Sequence, residues 1–197
     1  MAAVRLPQPV HERDDSSPAP GELELLRSFL SLHDHEDGNP EDNLPPSSDS
    51  IRWWLTTNGL LPEDARPRRS ELLWASRVRS ALVDRVRGSM GEPVDPGSAR
   101  LLDRAADRAG LRPRFDDPDR RIEVGSTGVR GAIGRLLGLA FLAELDGRWD
   151  RFRLCDDPSC RSVFYDGSRN RTGKWCSMSV CGNRAKVRAF RRRRATG

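Results

Sequence analysis

The segment "WCSMSVCGNRAKVRAFRRRR", residues 175–194, contains two of the four cysteines of this 197-residue chain and its densest positive charge. The other two cysteines precede it by a short interval and complete the pattern C-x4-C-x15-C-x4-C. Two close pairs of thiols on either side of a short excursion can surround one tetrahedral metal ion. This stretch therefore predicts a metal-binding module that ends in a basic helix.

Zinc is the metal that such a set of soft ligands favours, and four protein ligands leave no coordination position open for water or substrate. We therefore expect one structural Zn²⁺ and no catalytic metal. Two disulfides or four free thiols are the alternatives, and the four-residue spacer within each pair is wider than the common two. The predicted zinc ligands are Cys155, Cys160, Cys176 and Cys181.

The second cysteine pair has the features of a helix start. Ser177 is a good N-cap residue, so a helix is predicted from Met178 through Arg194. At 100° per residue, four side chains of this helix fall in one arc, which we expect to pack on the zinc knuckle or the body. That arc contains Val180, Asn183, Val187 and Phe190. The aromatic residues predicted to form the small core of the module are Phe164, Tyr165 and Trp175.

An arginine-rich helix beside a zinc knuckle can contact phosphates or enter a major groove, so DNA is the expected partner. The alternative is a solvated helix whose arginines pair with acidic groups of the body. For Asn183 and Arg184 we favour bracing of the knuckle over base reading. The candidate nucleic-acid-binding residues are Arg169, Asn170, Arg171, Lys174, Arg184, Lys186, Arg188, Arg191 and Arg192.

Charge is distributed unevenly along the chain. Residues 151–197 contain 13 lysines and arginines but 3 acidic residues, whereas residues 1–150 contain 21 and 26. A basic end on a mildly acidic body favours a polyanionic partner for that end. The sequence has no apolar run of membrane-spanning length and no signal-peptide pattern, so no membrane partner and a cytoplasmic location are expected.

Upstream of the cysteines the sequence predicts a mainly helical domain with one small β-hairpin. We expect a disordered N-terminus over residues 1–20, the helical domain over 21–149 and the zinc module over 150–197. Predicted helix starts are Ser48 or Asp49 for one helix and Asp95, followed by a stop at Gly110, for another. The hairpin is expected to pair residues 113–115 with 121–124 around the turn at 116–119.

Apolar spacing also predicts the buried faces of two long helices. One helix, from about Pro67 to Arg87, is expected to bury Leu72, Leu73, Val78, Leu82 and Val86. The other follows a cap at Ser126 or Thr127, and its glycines at 128, 131, 134 and 138 are expected to let a neighbouring helix approach closely. Its predicted buried residues are Val129, Ile133, Leu136, Leu137, Ala140 and Phe141. The three histidines, His11, His33 and His35, are expected to be solvated.

The motifs "CGNR" (181–184), "WCSM" (175–178) and "DGSRN" (166–170) closely resemble the CGNR zinc finger family. That resemblance implies zinc binding by the four cysteines, and Trp175, Arg184 and Lys186 also fit the family pattern. The fragments "SIRWWLTTNGLLP" (50–62) and "GLRPRF" (110–115) resemble the helical ABATE domain that usually precedes this finger. The resemblance covers nearly all of residues 22–194 and implies a stress-induced bacterial transcription regulator.

The sequence thus favours a non-enzymatic DNA-binding regulator, in which the helical domain senses a small-molecule ligand or forms a homodimer. No Ser-His-Asp, Cys-His or paired-carboxylate arrangement supports an enzyme. One alternative is a zinc-stabilised module that binds another protein without recognising a DNA site. Another is an RNA-binding finger, if its aromatic residues were exposed for stacking.

Overall fold

The computed structural model describes residues 18–34, 44–115 and 122–195. Within these ranges the chain forms six α-helices and two short antiparallel hairpins, which confirms the predicted mainly α fold. None of the helices in these ranges is both long and apolar enough to cross a membrane. The elements are α1 (Leu23–Ser31), α2 (Ser48–Thr57), α3 (Arg69–Ser89), α4 (Pro96–Ala109), β1 (Leu111–Pro113), β2 (Ile122–Val124), α5 (Gly128–Leu145), β3 (Phe152–Leu154), β4 (Val163–Tyr165) and α6 (Asn183–Ala195).

Helix α4 begins and ends as its sequence predicts. The Asp95 carboxylate accepts a hydrogen bond from the Gly97 amide at 2.8 Å, and Pro96 occupies the first helical position. Gly110 adopts the left-handed conformation, with φ of 66°, that ends the helix. Glycine suits this position because it has no Cβ to clash in that conformation.

Two other helix starts differ from expectation. Helix α2 is capped by Ser47, one residue before the predicted Ser48 or Asp49, because the extended backbone of Ser47 lets its hydroxyl accept from the Ser50 amide at 3.2 Å. Thr127 occupies the N-cap position of α5 but makes no side-chain cap. The Ser126 hydroxyl instead donates to the Arg108 carbonyl at 3.0 Å, which ties the end of α4 to the start of α5.

The core of the helical body forms where α1, α2, α3 and α5 meet. Phe29 and Trp54 pack with their ring centroids 5.0 Å apart. The buried Arg79 guanidinium donates to the carbonyls of Phe29 and Leu30 at 3.1 and 2.6 Å, which satisfies the end of α1 inside the core. Burial lowers the pKa of Arg79 to about 10, although Asp34 opposes that shift.

The predicted buried faces are correct except at two residues. Leu73 and Phe141 are exposed by 43% and 51%, whereas the other residues predicted to be buried on α3 and α5 lie in the core. Each of the two follows a buried residue directly and is therefore rotated by about 100° from it, toward solvent. The expectation for His33 was also wrong, because its ring is buried and Nδ1 lies 2.6 Å from the Ser31 carbonyl oxygen. His11 and His35 lie outside the described residues.

The glycines of α5 allow close contact with the first hairpin as well as with a neighbouring helix. A Cβ at Gly134 would lie 2.7 Å from both the Ala109 Cβ and the Val124 Cγ1, so this position accepts only a hydrogen atom. At Gly138 the nearest neighbour is an Ile122 methyl group at 3.4 Å. The surface that approaches α5 at Gly134 and Gly138 is therefore the last residue of α4 together with the first hairpin.

The first hairpin is shifted toward the N-terminus relative to its prediction. Strand β1 pairs Leu111 with Val124 and Pro113 with Ile122, so it begins two residues before the predicted 113–115. The stop of α4 at Gly110 explains the shift, because the chain enters the strand directly from the helix. The predicted turn at 116–119 lies outside the described residues.

The second hairpin belongs to the same core as the helices. Strands β3 and β4 pair Phe152 with Tyr165 and Leu154 with Val163, and β3 packs on α3 while β4 packs on α1. All four of these side chains are buried in the hydrophobic cluster that includes the helical residues. The base of the cysteine-bearing segment is therefore anchored in the helical body.

Candidate metal centre and basic helix

The four cysteines converge on one point, as the sequence predicts. Their sulfur atoms all lie within 4.8 Å of one another. Cys176 Sγ is 3.6 Å from both Cys160 Sγ and Cys181 Sγ. Thiolates about 2.3 Å from a tetrahedral zinc ion are separated by roughly 3.8 Å, so these positions fit one zinc ion with four sulfur ligands.

The first pair of ligands sits at the open end of the β3–β4 hairpin. Cys155 directly follows β3, and its amide donates to the Ser162 carbonyl at 2.9 Å. The Cys160 amide donates to the Asp157 carbonyl at 2.9 Å, which closes the turn between the two cysteines. The Ser162 hydroxyl oxygen lies 3.2 Å from Cys160 Sγ, where it can donate to a thiolate and orient it.

The second pair is held by the start of the C-terminal helix. The Ser177 hydroxyl accepts from the Val180 amide at 3.2 Å, which confirms the predicted cap. The first turn, Met178–Gly182, is a wide π-type turn that continues into α6. A Cβ at Gly182 would lie 3.0 Å from the Met178 sulfur and 3.5 Å from Trp175, so the glycine lets both side chains cover the turn.

Proton sharing links the four thiols. Hydrogen bonding with Cys155 lowers the pKa of Cys160, whereas hydrogen bonding with Cys155 raises the pKa of Cys176 and of Cys181. Metal binding requires deprotonation of all four thiols, so zinc affinity at this site depends on pH. The geometry of the four sulfur atoms is what indicates the metal site.

A buried carboxylate lies between the first two cysteines, and the sequence analysis did not identify it. Asp157 has no exposed surface, and its Oδ1 accepts from the Ser159 amide and hydroxyl at 3.1 and 2.8 Å. The same oxygen accepts from Arg188 Nη2 at 3.1 Å, and Arg184 Nη1 lies 4.0 Å from the other carboxylate oxygen. The Asp-x-Ser sequence within "CDDPSC" is the signal that could have indicated this turn.

Two residues of the "CGNR" motif make polar contacts inside the module in the structure. Arg184 faces the buried Asp157 carboxylate, and its side chain is 29% exposed. Asn183 donates from Nδ2 to the Ser179 carbonyl at 2.8 Å, which satisfies a backbone oxygen in the wide first turn. Both contacts are of the bracing kind that the sequence analysis favoured for these residues.

The predicted packing face of the C-terminal helix was wrong. Val187 and Phe190 are exposed by 48% and 52%, so they do not pack on the knuckle or the body. The helix is instead held through Arg184, for which bracing was favoured, and through Arg188, which was a nucleic-acid-binding candidate. A buried carboxylate requires a charged partner, and this requirement decides the rotation of the helix. Of the predicted core aromatics, Phe164 and Tyr165 are buried and Trp175 is half-buried.

The remaining candidate cations lie on two exposed surfaces. One is the loop 166–174, which the Asp166 carboxylate orders by accepting from the amides of Ser168 and Gly173 at 3.0 and 2.7 Å. Burial opposes ionisation of Asp166, but these hydrogen bonds and the Ser168 side chain outweigh it and lower its pKa. The other is the outer side of α6. The exposed candidates are Arg169, Asn170, Arg171 and Lys174 on the loop and Lys186, Arg191 and Arg192 on the helix.

Polar contacts add to the core packing that fixes the metal centre on the helical body. Arg161 Nη2 donates to both carboxylate oxygens of Glu92 at 2.8 and 2.6 Å. The Leu154 amide lies 3.2 Å from the Met90 sulfur. Because Glu92 and Met90 follow the end of α3, the first cysteine turn is joined directly to that helix.

The helical body itself carries a cleft of about 660 Å³. Its walls are β2, one side of α5 from Gly128 to Leu142 and the residues that follow α2. Arg135 lies in this wall, and its Nη2 is paired with the Glu22 carboxylate at 2.6 Å. The cleft thus combines apolar side chains with a charged pair at one side.

Comparison with protein families gives two matches in this chain. Residues 13–144 match ABATE, described as "Putative stress-induced transcription regulator". Residues 151–194 match the CGNR zinc finger. A comparison with curated proteins finds no match. The two families follow each other in the order that the sequence predicts, and the finger match encloses all four cysteines.

Proposed function

We propose, since the chain belongs to the ABATE family and carries a CGNR zinc finger, that it regulates transcription by binding DNA through that finger. The observation that carries the proposal is the predominantly basic surface of the finger, whose loop 167–174 and helix α6 are exposed and contain no acidic residue. From Gly167 to Gly197 the sequence has ten lysines and arginines and no acidic residue. Such a surface attracts a polyanion by releasing its counterions.

The basic residues fall into two groups, one that braces the finger and one that is exposed to solvent. Arg184 and Arg188 brace the finger through Asp157, so we assign them to the integrity of the module in the first place. We assign ligand contact to the exposed residues of the loop 166–174 and to the outer residues of α6. We propose that DNA is contacted by Arg169, Asn170, Arg171, Lys174, Lys186, Arg191 and Arg192.

The helical body supplies the regulatory part of the proposal. We assign ligand sensing to the 660 Å³ cleft beside β2 and α5, because it is roomy enough for a small organic molecule. A response to stress, which the family description names, belongs to the same proposal, and so do a bacterial origin and a cytoplasmic location. We propose no enzymatic activity, since four thiolates close the zinc shell to substrate.

The experiment is a selection from a random duplex DNA pool with the zinc-loaded full chain. Enrichment of a defined sequence is expected, with an affinity that falls steeply as salt concentration rises. Failure of the protein to retain duplex DNA at about 0.05 M salt would overturn the proposal, because phosphate contacts are strongest at low salt. Retention without enrichment would restrict it to non-specific binding.

Two variants with equal loss of charge test where DNA binds. The first replaces the proposed contacts Lys186, Arg191 and Arg192 of α6 with Gln. The second replaces the exposed body residues Arg100, Arg104 and Arg130 with Gln. The first variant is expected to reduce the slope of log affinity against log salt by up to roughly 2.7, and the second to leave it unchanged. Equal slopes for the two variants would place the DNA elsewhere on the protein.

A further inference from the structure

Two apolar side chains stand exposed on the most basic helix of the protein. Val187 and Phe190 are exposed by 48% and 52%, and they share one shallow groove with Lys186, Arg191 and Arg194. The Arg194 guanidinium lies 5.7 Å from the centre of the Phe190 ring. Neither side chain packs in the core of the zinc module. Both are therefore available to contact another molecule.

The apolar pair lies between cations on both sides. At about 100° per residue, Val187 and Phe190 are about 60° apart around the axis of α6. Lys186 lies about 70° from their midline on one side, and Arg191 lies about 70° from it on the other. Arg184 and Arg188, which contact Asp157, lie about 90° and 130° from the same midline. The outer side of α6 thus presents an apolar pair with a cation on each flank and with Arg194 at its C-terminal end.

The major groove of B-DNA has the complementary arrangement. Phosphates line both rims of this groove, which is about 12 Å wide and admits an α-helix, and thymine methyl groups project from its floor. Helix α6 has 13 residues, which corresponds to roughly 20 Å and is enough to cross the groove. We propose that Val187 and Phe190 contact thymine methyl groups while the flanking cations contact the phosphates. This inference rests on the proposed DNA binding and adds a base preference to it.

A second copy of the chain fits this surface less well. A two-fold contact through the same face would bring Lys186, Arg191 and Arg194 of both copies together, and like charges across an interface are costly. A protein partner would need a protruding apolar side chain that is surrounded by acidic residues. DNA supplies the negative rim and the apolar floor at once, so it is the occupant that the charges favour.

The test compares two duplex pools of identical random sequences, one synthesised with thymine and one with uracil. Uracil differs from thymine only by the missing methyl group, so phosphates and hydrogen-bonding groups are the same in both pools. The zinc-loaded full chain is expected to prefer the thymine pool by about fourfold for each methyl group that it buries. The double variant V187A/F190A is expected to keep its zinc and its salt dependence but to bind both pools equally.

The control variant is F141A, which removes a phenylalanine of similar exposure from α5 and should retain the thymine preference. If the wild-type protein binds neither pool, the proposed function itself has failed. If it binds both pools equally well, DNA binding stands and the inference is wrong. A change of oligomeric state in V187A/F190A, with no change in the thymine preference, would also overturn the inference and assign the surface to a protein contact.

Discussion

Arg188 Nη2 lies 3.1 Å from Oδ1 of Asp157, a residue 31 positions earlier in the chain. This contact joins the last helix to the turn between the first two cysteines. Since the carboxylate has no exposed surface, it depends on this arginine and on Arg184 for charge compensation. The orientation of the basic helix is therefore coupled to the integrity of the metal centre.

Asp157→Asn is expected to weaken zinc binding by about 10- to 100-fold, the effect typical of lost groups that orient metal ligands. The amide keeps the shape of the side chain but removes the charge that holds Arg188. Competition with a chromophoric zinc chelator measures the change. The matched control is Asp156→Asn, which changes the exposed neighbour. Equal zinc affinity of the two variants would contradict the role given to Asp157.

Cys176→Ser is expected to abolish tight zinc binding and to loosen the cysteine turns and α6. Residues 152–154 and 163–165 should stay protected, because their side chains are packed in the core of the helical body. Hydrogen exchange, resolved by segment, distinguishes the two regions. Loss of protection throughout α1 to α5 on removal of zinc would show that the body depends on the metal as well.

Gly134→Ala is expected to destabilise the protein by about 1 to 3 kcal/mol, because its Cβ would overlap Ala109 and Val124. Gly138→Ala serves as the control on the same helix, since its Cβ would meet only a methyl group at 3.4 Å. There the helix propensity gain of roughly 1 kcal/mol should offset the contact. Denaturant unfolding measures both. A Gly134→Ala protein as stable as the Gly138→Ala protein would refute this account of the hairpin packing.

Asp166→Asn is expected to reduce the free energy of unfolding by about 2 kcal/mol at pH 7, because the ionised carboxylate accepts strong hydrogen bonds from its loop. The folded protein binds this proton less tightly than the unfolded chain does. The contribution is therefore complete above the unfolded pKa of about 3.9 and is lost as the pH falls through the lower folded pKa. The stability difference between wild type and variant should shrink accordingly.

Denaturant unfolding of both proteins at several pH values checks this expectation. Asp150→Asn, which changes an exposed carboxylate near β3, provides the comparison for the loss of one surface carboxylate. A stability difference for Asp166→Asn that stays constant down to pH 2 would rule out ionisation of Asp166 as its source.

Local signals in the sequence were enough to predict most of the fold and the metal ligands. Cysteine spacing identified the four ligands, and Asp95, Pro96 and Gly110 fixed both ends of α4, because caps act within a few residues. The rotation of α6 could not be predicted in this way. It depends on Asp157, whose burial is a consequence of the folded turn and is invisible to helical periodicity.

The errors at Leu73 and Phe141 have a similar origin. Apolar spacing gives the direction of the buried face, but the number of helices packed on that face sets its width. Likewise, glycine spacing on α5 suggested a close neighbour, but only the fold shows that strand β2 fills that space. Long-range contacts decide these points, and a single sequence does not contain them.

The packing of β3 and β4 among the helices has a practical consequence for work on the finger. A fragment that starts at residue 150 would carry Phe152, Leu154, Val163 and Tyr165 without the surfaces that cover them in the intact chain. Such a fragment would expose an apolar patch to solvent during expression. We expect it to aggregate even when zinc is supplied. Transfer of this finger to another protein would succeed only if the transferred segment included the helices that cover β3 and β4.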